Sequence, residues 1–455
     1  MLKIKEESYD DYIHRIFHLG NNGKRGARTV TLQVTDGCNL ACTYCYQINK
    51  HTNMMPIEVA KKFIDDLLDG KYNNYCDYDN SEAIILEFIG GEPFIAIDLI
   101  SEITDYFVNS MIERDHPWLF RYRISICSNG VLYFDPRVQE YIQKHHKHMS
   151  FSISIDGNKE LHDACRVFPD GSGSYDIAMA GVKHYVENYS HYSMGSKMTI
   201  APENVTYVYE AVKSLIENGY TDINLNCVYE EGWNEKYATI LYEQLKQLTD
   251  YIVQNNLYEK VALSIFDKNA FQPMREDDLQ NWCGGTGQML ACDWRGDLYP
   301  CIRYMESSLG DSREPICIGN VWNGIMATEH QCQLCNDLNC IDRRTQSTDE
   351  CFYCPIAKGC SWCSAYNYQM FGTANKRATF ICIKHKARSL ANAYYWNKVY
   401  IAEQVNKRFK IWLPDEEALK IIDEKELKFL HMLEHFPHIF KPLSDISSSE
   451  LYFSI

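Results

Sequence analysis

The chain has 455 residues, 45% of them hydrophobic, and a formal net charge of −16. That length allows a large core and more than one domain, and the acidic balance argues against nucleic acid as a partner. No apolar stretch is long enough to span a bilayer, and the opening Met1-Leu2-Lys3-Ile4-Lys5-Glu6-Glu7 has no apolar signal region.

Residues 29–227 alternate strand-like and helix-like runs. The strands are expected at Thr29–Val34, Ala83–Phe88, Tyr122–Cys127, Ser150–Ile155, Lys197–Ile200 and Asp222–Cys227. Between them, amphipathic helices are expected at Pro56–Leu68, Ile97–Met111, Pro136–Lys144, Tyr175–Asn188 and Val205–Glu217. Pro56 and Pro136 suit first-turn positions, and Gly219 suits a helix end. Repeated βα units imply a parallel sheet with right-handed crossovers; periodicity alone permits a barrel or a doubly wound sheet. A further helix is expected over Glu235–Val253, with Leu241, Leu245, Leu248 and Ile252 on one face and Asn234 as its cap. Residues 283–382 are cysteine-rich, turn-rich and weakly periodic, as in a small domain that metal holds together. Within them, Arg295-Gly296-Asp297 reads as a hairpin turn between Gln288–Asp293 and Leu298–Cys301. Helical patterning returns over 386–440, and the last dozen residues read as a Ser-rich tail.

The chain contains nineteen cysteines, most of them between Cys283 and Cys382. Without an export signal, such clustering points to metal or iron–sulfur chemistry in a reduced cytoplasm rather than to disulfides. Cys38, Cys42 and Cys45, spaced C-x3-C-x2-C, directly follow the first strand. Structural zinc wants four ligands, and the nearest fourth candidate is His51 in a polar segment. Three thiolates can hold three irons of a cubane, leaving the fourth iron for a ligand that is not protein.

Downstream motifs fall at the ends of successive strands. Gly90-Gly91-Glu92-Pro93 follows the second, Ser128-Asn129-Gly130 the third, and Ser154-Ile155-Asp156-Gly157 the fourth, with His162-Asp163 and Arg166 beyond. Taken singly they read as tight turns and a surface ion pair. At the carboxyl ends of parallel strands they also face the ligand crevice. Farther on come Cys283, Cys292 and Cys301, then Cys351-x2-Cys354-x5-Cys360-x2-Cys363, then Cys382; a pair of zinc knuckles is the simpler alternative. Cys332-x2-Cys335-x4-Cys340 is an extra group that is a further ligand source, a zinc site or inert.

Together these motifs resemble radical S-adenosylmethionine (SAM) enzymes carrying a SPASM domain, which mature peptides. The resemblance implies an α/β fold: a partial (β/α)6 barrel, a SPASM domain with two auxiliary clusters, and a C-terminal helical segment. It divides the chain into an N-terminal extension (1–28), barrel (29–255), auxiliary-cluster domain (256–385) and helical extension (386–455). By the same resemblance Cys38, Cys42 and Cys45 hold the SAM cluster. Tyr44, Gly90, Gly91, Glu92, Ser128, Asn129, Ser154 and Arg166 contact SAM, Arg166 through the methionine carboxylate. Cys351, Cys354, Cys360 and Cys382 ligate an outer auxiliary cluster; Cys283, Cys301 and Cys363 ligate an inner one, with Cys292 as its fourth ligand. The implied cofactors are three [4Fe-4S] clusters and SAM. The implied partners are a precursor peptide and an electron donor such as flavodoxin or ferredoxin, with no nucleic acid and no membrane.

In this family a 5′-deoxyadenosyl radical abstracts hydrogen from the substrate. The stretch TDGCNLACTYCYQINK resembles maturases of Cys-rich, CXXX-repeat precursors, so the expected product is a crosslinked peptide, of thioether type. Anaerobic sulfatase maturases, which make formylglycine, are the alternative, but they place an Asp after an inner-cluster cysteine, where this chain has Ile302. A multi-cluster electron carrier is the non-enzymatic alternative. The 28 residues before the first strand are too few for a leader-binding domain. No acid or base is identifiable; Glu230, Glu231, Asp293 and Asp297 are candidates by location only.

Overall fold

The computed structural model describes residues 26–47, 51–76, 78–79, 81–189, 195–281 and 283–435. The expected extension and tail thus lie almost wholly outside the described residues. Six strands run parallel and stand side by side in the order of the chain: β1 Ala27–Gln33, β2 Ala83–Ile89, β3 Tyr122–Ser128, β4 Met149–Ile153, β5 Gly195–Ile200 and β6 Asp222–Cys227. A doubly wound sheet needs a reversal of strand order. None occurs here, so the alternative that periodicity left open is removed. A short β7, Ala262–Leu263, extends the row.

Helices α1 Ile57–Leu68, α2 Ile97–Glu113, α3 Pro136–His145, α5 Tyr175–Asn188, α6 Val208–Glu217 and α7 Glu235–Gln254 make the crossovers. Each forms where apolar residues recur at helical spacing. In α1, Val59, Phe63, Ile64 and Leu67 face inward and are buried. Pro136 occupies the first turn of α3 behind an Asp135 cap, whereas Pro56 stands one step earlier, as the cap of α1. After α6, Gly219 takes φ +92°. Its N–H bonds to Ile216 O and that of Tyr220 to Leu215 O, the pattern that closes a helix with a left-handed residue. The Asn234 side chain caps α7 by accepting from Tyr237 N at 3.2 Å. A short helix not anticipated, α4 Lys159–Cys165, interrupts the β4–β5 crossover behind an Asn158 cap.

The cysteine-rich segment joins the other edge of this sheet. β8 Met289–Cys292 pairs parallel with β1. β9 Asp297–Tyr299 folds back on it through the expected turn, with Gly296 at φ +93°. β10 Gly319–Asn320 and β11 Gly324–Ile325 complete the edge. Leu298, Ile316, Ile318, Val321 and Leu338 of this segment belong to the same apolar cluster as Val30, Leu86 and Ile124 of the sheet. The hydrophobic pattern is weak because these residues complete a shared core rather than building a separate one.

Besides helices of a single turn, four longer ones follow in the described chain: α8 Glu329–Asn339, α9 Ser364–Phe371, α10 Cys382–Ala402 and α11 Glu424–His435. α10 packs along α7. Glu426 of α11 accepts from Tyr242 Oη and from Lys246 Nζ, both at 2.6 Å, tying α11 to α7. Among the described residues no helix is long and apolar enough to cross a membrane.

Candidate active site

Because the strands are parallel, the loops after β1 to β4 open at one end of the sheet. The loop after β1 carries Cys38, Cys42 and Cys45, all half-buried. Its backbone is clamped from three sides. Asp36 accepts from Asn53 N and Nδ2 at 2.9 and 2.8 Å. Glu92 N–H donates to Gly37 O at 2.9 Å. Ala41 N and Thr43 N donate to Val167 O and Cys165 O at 2.8 and 3.0 Å, bracketing Cys42 on one side and Arg166 on the other.

The two glycines after β2 are needed for this approach. A Cβ on Gly91 would lie 2.3 Å from Gly37 O and 2.6 Å from Cys38 Cβ, and one on Gly90 would lie 2.6 Å from Thr35 O. Both are closer than real Cβ contacts allow, so a side chain would push the cysteine loop away.

Glu92 is 1% exposed. Its Oε1 accepts from Phe94 N at 3.1 Å and Ser128 Oγ at 2.8 Å, and its Oε2 accepts from Asn129 N at 2.7 Å. Burial raises its pKa, opposed by these donors. Glu92 thus ties the loops after β2 and β3 together. Asn129 Nδ2 donates to Asn39 Oδ1 at 2.7 Å, inside the cysteine loop, and approaches Cys38 Sγ at 4.0 Å. Ser154 is buried beside Cys127, Oγ to Sγ 3.3 Å.

Arg166 is fixed by a carboxylate that sequence reading quoted but did not single out. Its Nε donates to Asp156 Oδ2 at 2.9 Å, and its guanidinium lies 5.4 Å from the Tyr44 ring centroid. Tyr44 Oη donates to the same Asp156 oxygen. Burial alone would lower the Arg166 pKa, but Asp156, Tyr44 and Cys42 outweigh it and hold the charge. Beneath them His162 is fully buried, its Nε2 3.0 Å from Ser174 Oγ. Burial and then Arg166 pull its pKa down to about 4, so it is neutral near pH 7.

The distal cysteines fall into two groups. Cys283, Cys301 and Cys363 converge: a Cβ on Gly285 would stand 3.2 Å from Cys301 Sγ and 3.6 Å from Cys283 Sγ. Burial raises the pKa of Cys363, reinforced by Cys283 and opposed by Arg303. Cys292 lies elsewhere, fully buried on β8, with its thiol on Asp293 O at 3.4 Å and Cys317 among its charge neighbours. The second group is gathered by Arg377, which donates to Cys351 Sγ at 3.0 Å and Cys360 Sγ at 3.2 Å while lying over the Trp362 ring. Cys382 joins it; burial pushes its thiol up to about 12, with Cys360 and Cys351 adding to the rise. Cys354 is influenced by the same pair.

Of the extra cysteines, Cys335 is buried, Cys332 half-buried on Met326 O, and Cys340 exposed. Two cations were missed by sequence reading because their partners are remote in the chain. Arg303 pairs with Glu230 at 3.1 Å and lies over the Tyr46 ring. Lys384 on α10 donates to Cys227 O, at the end of β6, at 3.3 Å.

The donor set fits iron–sulfur clusters. The sulfurs occur in triplets and quartets and accept N–H donors, as Cys38 does from Leu40 N at 3.5 Å. The order of the parallel strands and the three-cysteine loop match what the resemblance to radical SAM enzymes implies.

A family model described as a 4Fe-4S single cluster domain matches residues 22–162. Protein MJ0907 of Methanocaldococcus jannaschii, uncharacterized, is 27% identical over 298 residues, 65% of this chain and 89% of its own. The radical SAM cyclopropyl synthase TigE of Paramaledivibacter caminithermalis is 21% identical over 314 residues, 65% of this chain and 61% of its own. The serine-type anaerobic sulfatase-maturating enzyme of Bacteroides thetaiotaomicron is 22% identical over 306 residues, 60% of this chain and 69% of its own. Among solved structures, anSMEcpe with bound AdoMet and Cp18Cys peptide superposes with a TM-score of 0.58 at 17% identity, covering 83% of this chain and 99% of that one. Streptococcus suis SuiB bound to precursor peptide SuiA gives 0.52 at 15% identity, covering 78% and 75%. Within the class, the chain is similar to radical SAM/SPASM-type maturases.

Proposed function

We propose that the chain cleaves SAM reductively and removes hydrogen from a ribosomally made, Cys-containing peptide to install a crosslink of thioether type. Ile302 carries the choice of product: no carboxylate follows Cys301, and the adjacent Arg303 is already paired with Glu230. Peptide maturation is supported by the relatives and by SuiB, solved with its precursor peptide. Formylglycine formation is the second reading, favoured by the sulfatase maturase and anSMEcpe likenesses. An electron carrier without activity is the third, and the Gly90–Glu92, Asn129 and Arg166 cradle counts against it.

Cys38, Cys42 and Cys45 would hold the SAM cluster, which with SAM bound supplies a 5′-deoxyadenosyl radical. Gly90 and Gly91 would let backbone approach the methionine end, and Glu92 would aid binding of its ammonium by charge. Arg166, oriented by Asp156, would pair with its carboxylate. Tyr44, Ser128, Asn129 and Ser154 would border the nucleoside. Cys351, Cys354, Cys360 and Cys382 would hold an outer cluster. Cys283, Cys301 and Cys363 would hold an inner one, leaving a position for a substrate thiolate if Cys292 stays with Cys317. The boundaries 28/29, 255/256 and 385/386 would part extension, barrel, auxiliary domain and helices. A flavodoxin- or ferredoxin-type donor in the cytoplasm would supply electrons.

The test is anaerobic incubation with SAM, reductant and a short Cys-rich peptide encoded beside the gene. The expected product lacks two hydrogens per crosslink, located by fragmentation, and forms with 5′-deoxyadenosine. An aldehyde detected by hydrazide labelling overturns the crosslink in favour of formylglycine. Iron and sulfide should each reach about twelve per chain; about four would remove the auxiliary clusters.

A further inference from the structure

The end of α11 gathers ligands that the proposed function does not use. His431, Glu434 and His435 follow the i, i+3, i+4 spacing that puts three side chains on one helix face. Their ligand atoms lie within 4.8 Å of one another, with Glu434 buried. His431 Nδ1 is 3.9 Å from Glu434 Oε2, and His435 Nε2 is 3.9 Å from Glu434 Oε1. Ligand atoms of a four-coordinate zinc, each about 2.1 Å from the metal, stand about 3.4 Å apart. Small rotamer adjustments therefore suffice to close the site.

Two features set this apart from a charged helix face. Glu434 is only 4% exposed, and its Oε2 accepts from Ile411 N at 3.3 Å. A carboxylate that deep costs free energy unless a cation compensates it. Also, His431 Nε2 lies 3.0 Å from Asp415 Oδ1. With the proton on Nε2, donated to Asp415, the Nδ1 lone pair is turned toward Glu434. A carboxylate behind the imidazole in this way orients metal-bound histidines.

We propose that His431, Glu434 and His435 bind one divalent transition-metal ion of the zinc type, with Asp415 orienting His431. The ion ties α11 to the segment 411–415, since Ile411 and Asp415 both hold its ligands. The site is mononuclear, built from imidazole and carboxylate, and separate from the cysteine groups, so it stands whether or not the peptide-crosslinking reading does.

The test uses the full-length, cluster-reconstituted protein, passed anaerobically over chelating resin and titrated with Co²⁺. One equivalent should bind with the visible bands of nitrogen–oxygen ligation and no thiolate charge-transfer band, and Zn²⁺ should displace it. Glu434→Gln and the double variant H431Q/H435Q should lose this equivalent, with affinity down at least tenfold and iron content unchanged. Asp415→Asn should weaken binding by about tenfold or more. In the wild-type protein, which needs no variant to fold, the metal should protect His431 and His435 from acylation by diethylpyrocarbonate. Thiolate bands alone, equal Co²⁺ binding in wild type and variants, or acylation unaffected by metal would each overturn the proposal.

Discussion

The front cysteine loop and the distal cysteine groups solve the same problem, holding soft ligands in place, by different means. Around Cys38, Cys42 and Cys45 the scaffold is backbone: parallel strands, two glycines in close approach, hydrogen bonds from Asn53 and Glu92, and hydrogen bonds to the carbonyls of Cys165 and Val167. Around Cys351, Cys360 and Cys382 the elements are short helices and turns, and a single guanidinium, Arg377, reaches two sulfurs. The backbone clamp on the front loop should hold its shape without metal. The distal groups share the sheet's core but depend on their ligands for local order.

Breaking that comparison gives the largest expected effects. Changing Cys38, Cys42 and Cys45 together to Ala should abolish 5′-deoxyadenosine while leaving the thermal midpoint nearly unchanged. Changing Cys351 and Cys360 to Ala should instead open residues 343–382 to limited proteolysis. Equal proteolytic resistance in the two variants would erase the distinction.

A second contrast lies within the front site. Gly91→Ala drives a methyl into Gly37 O and should cost about 1–3 kcal/mol of stability, with lower cluster loading read from iron content. Glu92→Leu strands the donors Phe94 N, Ser128 Oγ and Asn129 N; each costs about 1–3 kcal/mol when left unpaired, measured by urea denaturation. If Glu92→Leu proved milder than Gly91→Ala, close approach rather than the hydrogen-bond hub would dominate the site.

The smallest effect is a pH dependence. His162 has its folded pKa lowered to about 4, against about 6.5 unfolded. The unfolded chain therefore binds the extra proton first as pH falls. Stability from this residue is full above 6.5 and is lost as pH drops toward 4, by about 2 kcal/mol between pH 7 and 5. His162→Gln should flatten that slope in urea midpoints. An unchanged slope would move the cause to other groups.

Much of the fold was legible in local pattern. The six parallel strands match their apolar runs, although β4 begins one residue earlier and ends two earlier than its pattern indicates, at Met149 and Ile153. Polar Ser154 and buried Ile155 continue the alternation into a loop, so periodicity overran the last hydrogen-bonded pair. The helix cap at Asn234, the turn at Gly296 and the helix end at Gly219 were readable because each depends on chemistry within a few residues. The short helix Lys159–Cys165 was not, because its seven residues are too few to show a period.

The site divides in the same way. The spacing of Cys38, Cys42 and Cys45 and the motifs after each strand were visible in the chain, since a short loop or a strand end fixes its own geometry. Three features depended on distant partners. Asp156 orients Arg166 and Tyr44, Arg377 gathers Cys351 and Cys360, and Cys292 stands apart from Cys283, Cys301 and Cys363. So did the cluster of His431, Glu434 and His435: its spacing lay in plain sequence, but Asp415 and Ile411 reach it only through the packing of α11. Sequence by itself determined the element order, the cysteine spacing and the class of chemistry, all of which rest on local bonding. Tertiary structure decided which charges and sulfurs meet, because burial and contact between segments 10 to 274 residues apart exist only once the sheet has brought them together.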